Sequence, residues 1–325
     1  MYVLGFQGSP RLKGNTNVLL DAFLNRLKEK GAVVEKVHAA RVNAEPCTGC
    51  GYCEKKGVCA ISDDEMSSRI YFLLRRADAV VLASPVYFYN FPARIKAVID
   101  RTQTLWSGKY KLGLDDPGRP WRRGFLLSVG ATKGKNLFDG MGLTARYFFD
   151  AVGAEYTGSL TYRRIEEPGD LEELAGVADD VKTTAGHLDT LFSRKKILFA
   201  CRENACRSQM ASAFARYLAG DKIEALNAGS TPADSVNPMM REVMAEKGID
   251  MGFRSPRSID DAVSETMPDM IVTMGCGEQC PYIPGVSYAD WDLADPAGKD
   301  IDFMRSVRDE IEKRVRNLIE DQLSS

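Results

Sequence analysis

The sequence predicts an α/β protein made of two three-layer α/β/α domains with parallel sheets. Three observations lead there. Two short apolar runs, Tyr2-Val3-Leu4-Gly5-Phe6 and Lys196-Ile197-Leu198-Phe199-Ala200, each enter a turn rich in small and polar residues and then a stretch with helical apolar spacing. Beyond each, near-continuous apolar strands alternate with helical stretches, the pattern of a parallel sheet covered on both faces. The length of 325 residues suffices for two domains of roughly 100–200 residues, each with its own core.

In the first half the turn covers Gln7 to Thr16, and a helix follows near Asn17 to Lys30 with Val18, Leu19, Ala22, Phe23 and Leu27 on its apolar side. Further strands are expected at Ala32 to Val37, Ala79 to Ser84, Gly124 to Gly130 and Ala154 to Leu160, with helices at 64–77, 92–105 and 138–152. Residues 171–194 read as a helical linker, which places the first domain at 1–170 and the second at 195–325. There, strands are expected near 196–200, 223–227, 269–274 and 286–290, and helices near 209–219, 236–248, 257–264 and 302–322. Ligands of such sheets lie at the carboxyl ends of the strands.

Composition narrows the chemistry. The 43 basic and 45 acidic side chains nearly cancel, so no excess of Lys and Arg is available for a phosphate backbone, and no nucleic-acid partner is expected. No run approaches the ~18 apolar residues of a membrane span, and the chain opens on a strand rather than a leader, so no membrane association and a cytoplasmic location are expected. In a reducing compartment, eight cysteines point to metal ligation or thiol chemistry. His38 and His187 are the only histidines, which disfavours imidazole catalysis.

Gly8-Ser9-Pro10-Arg11-Leu12-Lys13-Gly14-Asn15-Thr16-Asn17 lies between a strand and a helix. A phosphate monoester there would find amides at a helix start, the hydroxyls of Ser9 and Thr16, the side chains of Asn15 and Asn17, and the Arg11 guanidinium. A helix cap in a surface turn is the plain alternative. A second turn, Ser84-Pro85-Val86-Tyr87-Phe88-Tyr89-Asn90-Phe91-Pro92, places three aromatics where a planar ring could lie. With Asp100-Arg101 and the Gly130-Ala131-Thr132-Lys133-Gly134 loop, residues 1–165 resemble the NAD(P)H-dependent FMN reductases of the flavodoxin-like superfamily. The resemblance implies FMN, its phosphate on the first loop and its ring against Pro85, Val86, Tyr87, Phe88, Asn90, Gly130 and Thr132. It also implies NAD(P)H as donor and a homo-oligomer formed through the flavin domain.

Between these loops runs Cys47-Thr48-Gly49-Cys50-Gly51-Tyr52-Cys53-Glu54-Lys55-Lys56-Gly57-Val58-Cys59. Four thiolates on a glycine-rich chain can converge on one cluster. The spacing looks like that of the iron–sulfur flavoproteins, which implies a [4Fe–4S] centre on Cys47, Cys50, Cys53 and Cys59. A structural zinc and a metal-free thiol loop stay open as readings.

Cys201-Arg202-Glu203-Asn204-Ala205-Cys206-Arg207-Ser208 is a C-x5-R-S loop at a strand-to-helix turn. A tetrahedral oxyanion wants a thiolate at the loop base, inward amides across Asn204, Ala205 and Cys206, and an Arg207 fork. The helix start and Arg207 favour the Cys201 thiolate, Ser208 can hydrogen-bond it, and Asn204 can brace the loop. Cys206 reads either as packing or as a protective partner of the nucleophile. Residues 196–322 resemble the low-molecular-weight tyrosine phosphatase fold. Asp295 of Asp295-Pro296 matches the general acid, but Ala297-Gly298 follows where tyrosine phosphatases carry aromatics, and Ser208-Gln209-Met210-Ala211 looks like the arsenate reductase version. Thr273-Met274-Gly275-Cys276-Gly277-Glu278-Gln279-Cys280-Pro281 supplies two more thiols. A phosphatase needs none. By resemblance to thioredoxin-coupled arsenate reductases, Cys276 is the first resolving thiol and Cys280 the second.

Tethering raises the effective concentration of electron donor and acceptor. The expectation is an arsenate reductase that takes arsenate or a phosphate-like oxyanion through a thiol cascade, fed by its own NAD(P)H:FMN half or by thioredoxin. The alternatives are an FMN reductase fused to a protein tyrosine phosphatase-like domain, and a non-catalytic redox or oxyanion sensor.

Overall fold

A computed structural model describes residues 1–275 and 282–323. The chain divides into two units. One is Met1–Gly113 with Gly118–Phe192; the other is Leu114–Pro117 with the chain from Ser193 onward. Among the described residues no helix is long and apolar enough to cross a membrane.

The first unit contains, in order, β1 (Tyr2–Gln7), α1 (Asn15–Glu29), β2 (Val33–His38), α2 (Tyr52–Lys56), α3 (Tyr71–Arg76), β3 (Ala79–Pro85), α4 (Ala93–Arg101), α5 (Gln103–Tyr110), β4 (Arg123–Gly130), α6 (Asp139–Ala151), β5 (Glu155–Arg163), α7 (Asp170–Glu173) and α8 (Val177–Gly186). Its five strands are all parallel, in the order β2-β1-β3-β4-β5. Every residue of β1 is buried, as a strand covered on both faces requires. On one face α1 lays Leu19, Leu20, Phe23, Leu24 and Leu27 into the core, where the Phe23 and Phe125 rings stand 5.3 Å apart. On α6, Met141, Ala145, Phe148 and Phe149 are buried at helical spacing.

Local detail departs from the sequence expectation in three places. The stretch expected as one helix over 64–77 is a π-helical turn, Met66–Ile70, running into α3. The stretch over 92–105 is two helices that meet at Thr102, whose hydroxyl donates back to the Ile99 carbonyl at 2.6 Å. Residues 171–192 pack with the first unit: Leu171, Val181, Ala185, Leu188 and Leu191 all join the core beneath α1. Their burial against residues far earlier in the chain is a non-local contact that segment composition does not report.

The second unit contains β6 (Lys195–Cys201), α9 (Arg207–Ala219), β7 (Ile223–Gly229), α10 (Pro238–Ala245), α11 (Ile259–Glu265), β8 (Met270–Thr273), β9 (Ser287–Asp290) and α12 (Ile301–Leu323). Its strands are parallel in the order β7-β6-β8-β9. Residues of α9, α10 and α12 share one core with Phe199 and Val272, while Leu198, Ala200 and Ile271 face α11. In both sheets the first strand lies between the second and third, so the strand order reverses beside it and opens a crevice at its carboxyl end. Gln7 and Cys201 end those two strands.

Candidate functional site

In the second unit the loop from Cys201 to Arg207 wraps the start of α9. The Cys201 sulfur is buried, 3.0 Å from Ser208 Oγ, and accepts the Asn204 amide at 3.2 Å. Asn204 takes a left-handed backbone, φ +51°, which aims that amide inward. Its side chain fixes the turn: Nδ2 donates to Ser208 Oγ at 2.7 Å and to Asn227 Oδ1 at 3.1 Å, and Oδ1 accepts the Arg257 amide at 3.0 Å. Gln209 Nε2 closes the network, donating to the Asn204 carbonyl at 3.1 Å. Gly229, at the end of β7, lies so close beneath the loop that a Cβ there would stand 2.6 Å from the Arg202 carbonyl oxygen. Asn227, Arg257 and Gly229 escaped the sequence reading because each reaches the loop across the fold, with no local motif to mark it; Gln209 was marked only as part of Ser208-Gln209-Met210-Ala211.

Arg207 is buried, donates from Nη1 to the Leu293 carbonyl at 3.2 Å, and pairs through Nη2 with Asp295 at 3.1 Å. The structure therefore brings Cys201, Asn204, Arg207, Ser208 and Asp295 together. Burial, and then the neighbouring Cys201, push the Cys206 thiol up to about 12. Cys276 and Cys280 lie outside the described residues. The last described residue before them, Gly275, has φ +73°, and a Cβ there would stand 2.9 Å from Arg207 Nη1. Gly275 thus lies alongside the Arg207 guanidinium.

In the first unit the predicted phosphate loop is only partly gathered. The side chains of Ser9, Asn15 and Thr16 are buried around the start of α1, and Gly14 caps that helix without a side-chain acceptor. Ser9 Oγ accepts the Arg11 amide at 3.1 Å. Gln7 donates to the Arg11 carbonyl at 3.1 Å, leaving its buried Oε1 without a hydrogen-bond partner. Asn15 is turned to the chain after β5, donating to the Glu167 carbonyl at 2.8 Å. Asn17 points along the helix, donating to Asp21 at 2.7 Å and accepting from Lys36 at 3.0 Å, away from the loop. The amides at the head of α1, the hydroxyls and the orphaned Gln7 oxygen fit a hydroxyl-bearing phosphate ester.

The second loop is a tight turn. Tyr87 and Asn90 exchange backbone hydrogen bonds at 2.8 and 2.9 Å, with Phe88 at φ +48° and Tyr89 at φ +61° between them. Two aromatics in this region store strain, and such strain gathers at functional sites. The Phe88 ring is fully exposed, Tyr87 and Tyr89 about half so, which fits a planar partner. Pro85 ends β3, Val86 donates to the Val129 carbonyl at 3.1 Å, and Asn90 Oδ1 accepts from Thr144 at 3.2 Å. Gly130 ends β4, and Thr132 follows in the exposed turn.

Cys47 and Cys50 are exposed, Cys53 and Cys59 half-buried. Backbone and side-chain hydrogen bonds from Tyr52 and Thr48 lower the Cys50 thiol below its ordinary value. Cys53 lies 3.4 Å from Ser107 Oγ. Four thiols match an iron–sulfur donor set in kind and number, but among the described residues no three Cys, His, Asp or Glu side chains are gathered as metal ligands.

Comparison with known proteins agrees with the two halves. Residues 1–137 match the family of NADPH-dependent FMN reductases, and residues 196–324 match that of low molecular weight phosphotyrosine protein phosphatases. A putative arsenate reductase of Halobacterium salinarum is 39% identical over 134 residues, which is 40% of this chain and 94% of that protein. A glutaredoxin arsenate reductase of Synechocystis is 35% identical over 127 residues, 38% of this chain and 96% of that protein. An iron–sulfur flavoprotein of Archaeoglobus fulgidus is 46% identical over 101 residues, 31% of this chain, and the match spans only 45% of that flavoprotein. The chain therefore belongs to the arsenate reductase family of the low-molecular-weight phosphatase fold, as an oxidoreductase that joins such a domain to an NADPH-dependent FMN reductase domain.

Proposed function

We propose that the chain reduces arsenate to arsenite with electrons drawn from NAD(P)H. The observation that carries this reading is the cradle of Cys201, Asn204, Ser208 and Arg207, with Gly275, the residue before Cys276 in sequence, beside the guanidinium. The inward amides and Arg207 hold the tetrahedral anion, and Ser208 and the Asn204 amide hydrogen-bond the sulfur of Cys201, which acts as the attacking thiolate. That thiolate attacks arsenic; a sulfur–arsenic bond forms and an arsenate hydroxyl departs as water with a proton from Asp295. Cys276 then attacks the Cys201 sulfur: a disulfide forms, the sulfur–arsenic bond breaks, and its electron pair stays on arsenic, which leaves as arsenite. Cys280 takes over the disulfide and frees Cys201.

Ser9, Thr16, the amides of α1 and the 85–90 turn would hold FMN, which when bound supplies the two electrons of an NAD(P)H hydride for reduction of that disulfide. A small dithiol protein of the thioredoxin or glutaredoxin type is the alternative reductant. We extend the reading to a [4Fe–4S] cluster on Cys47, Cys50, Cys53 and Cys59, and no step above runs through it. The exposed Tyr87–Tyr89 turn is where a second copy of the chain would pack.

The decisive assay is NADPH oxidation by the FMN-loaded protein in the absence of any added thioredoxin. The expected result is oxidation that depends on arsenate and disappears in Cys276→Ser, while NADPH oxidation with an artificial acceptor persists. If thioredoxin is indispensable, the internal electron supply is wrong and arsenate reduction stands. If the wild-type protein hydrolyses phosphoesters and shows no arsenate reduction with or without thioredoxin, the phosphatase reading replaces it.

A further inference from the structure

The segment carrying Cys47, Cys50, Cys53 and Cys59 is held at both of its ends by one buried ion pair within the first unit. Arg101, the last residue of α4, reaches both ends. Its Nη1 donates to the Glu45 carbonyl at 2.8 Å and pairs with Asp64 at 2.5 Å. Its Nη2 donates to the Ile61 carbonyl at 3.1 Å and to Ser67 Oγ at 3.2 Å. Asp64 accepts the Glu45 amide at 3.1 Å and the Ser67 amide at 3.0 Å. Both charged side chains are shielded from water, at 0% and 1% exposure.

Stability alone does not account for this arrangement. Desolvating each ion costs several kcal/mol, and a well-packed apolar pair of similar volume is often equally stable or better. No apolar pair could hold backbone carbonyls from opposite ends of a loop. A planar fork with donors on two edges can. Between the two anchored ends the only regular element is α2, five residues long. We propose that Arg101 is a positioning residue for the four-thiol segment, pinning its two ends at a single point and so setting how its cysteines are presented. Loss of the fork would let the loop open locally without unfolding the sheet.

Alkylation of the intact chain by iodoacetamide, followed cysteine by cysteine with mass spectrometry between about pH 6 and 10, tests this. Arg101→Lys keeps the charge and loses the fork; Arg101→Met loses both. The expected result for Arg101→Lys is modification of the half-buried Cys53 and Cys59 accelerated about tenfold, with the exposed Cys47 and Cys50 little changed and Cys201 and Cys206 at wild-type rates. Arg101→Met should accelerate the same two thiols at least as much. Wild-type rates in Arg101→Lys, or acceleration of all eight cysteines together, overturn the proposal. Should the Arg101 variants not fold, Asp64→Asn, which keeps side-chain shape, gives the same reading: selective opening supports the proposal and wild-type rates overturn it. The readout needs neither bound metal nor flavin turnover, so its failure is distinct from failure of the electron-supply reading.

Discussion

Asn204 holds a left-handed conformation that costs a non-glycine residue about 1–2 kcal/mol. Three side-chain hydrogen bonds, to Ser208, Asn227 and the Arg257 amide, offset that cost and make the strained turn the rest position of the anion loop. Two residues on, Cys206 is close to the nucleophile in sequence and unlike it in chemistry. Burial and the adjacent Cys201 raise its thiol from 9.0 to about 12, so it stays protonated at neutral pH and does not rival Cys201. Because the folded value is the higher one, its contribution to stability is whole below pH 9.0 and is lost as pH rises toward 12. Alkylation of Cys206 should therefore lag that of an ordinary exposed thiol at pH about 8 and keep rising to pH about 12. A midpoint near pH 9.0, read by mass spectrometry, would contradict this.

At the scale of elements, the anion loop depends on how closely β7 approaches it. A methyl at Gly229 would meet the Arg202 oxygen at 2.6 Å and the Asn204 nitrogen at 2.8 Å, both backbone atoms with little room to yield. Gly229→Ala should cost about 1–3 kcal/mol in denaturant unfolding. It should also weaken phosphate binding, measured calorimetrically, about tenfold or more. In the first unit, α2 is too short to order the thiol segment by itself. The expected content of anaerobically purified protein is about four irons and four acid-labile sulfides per chain, giving a broad visible band beneath the flavin peaks. Flavin bands without iron would leave the segment as free thiols.

For the whole molecule, the legible parts were those written locally. A strand, a small-residue turn and an amphipathic helix are contiguous in sequence, so both sheets and the placement of Cys201, Asn204, Arg207 and Ser208 could be read from about a dozen residues each. Asp295 was legible only through family likeness, and the structure pairs it with Arg207 across the fold. What stayed hidden depends on distant partners. Arg101 was marked only as part of Asp100-Arg101 inside an expected helix over 92–105, not as an anchor for residues 45 and 61. Val181, Ala185 and Leu188 already had helical spacing, but nothing nearby announced α1 as their partner. Leu114–Pro117 is the plainest case. It is flanked on both sides by the first unit, yet Asp115 donates to the Gly248 carbonyl at 2.7 Å and accepts from the Asp250 amide at 2.8 Å, in the second. The polypeptide consequently passes from one body to the other three times, and a single scissile site cannot separate them. A fragment beginning at residue 195 would lose that borrowed strap, and with it the backbone hydrogen bonds that Gly248 and Asp250 make to Asp115.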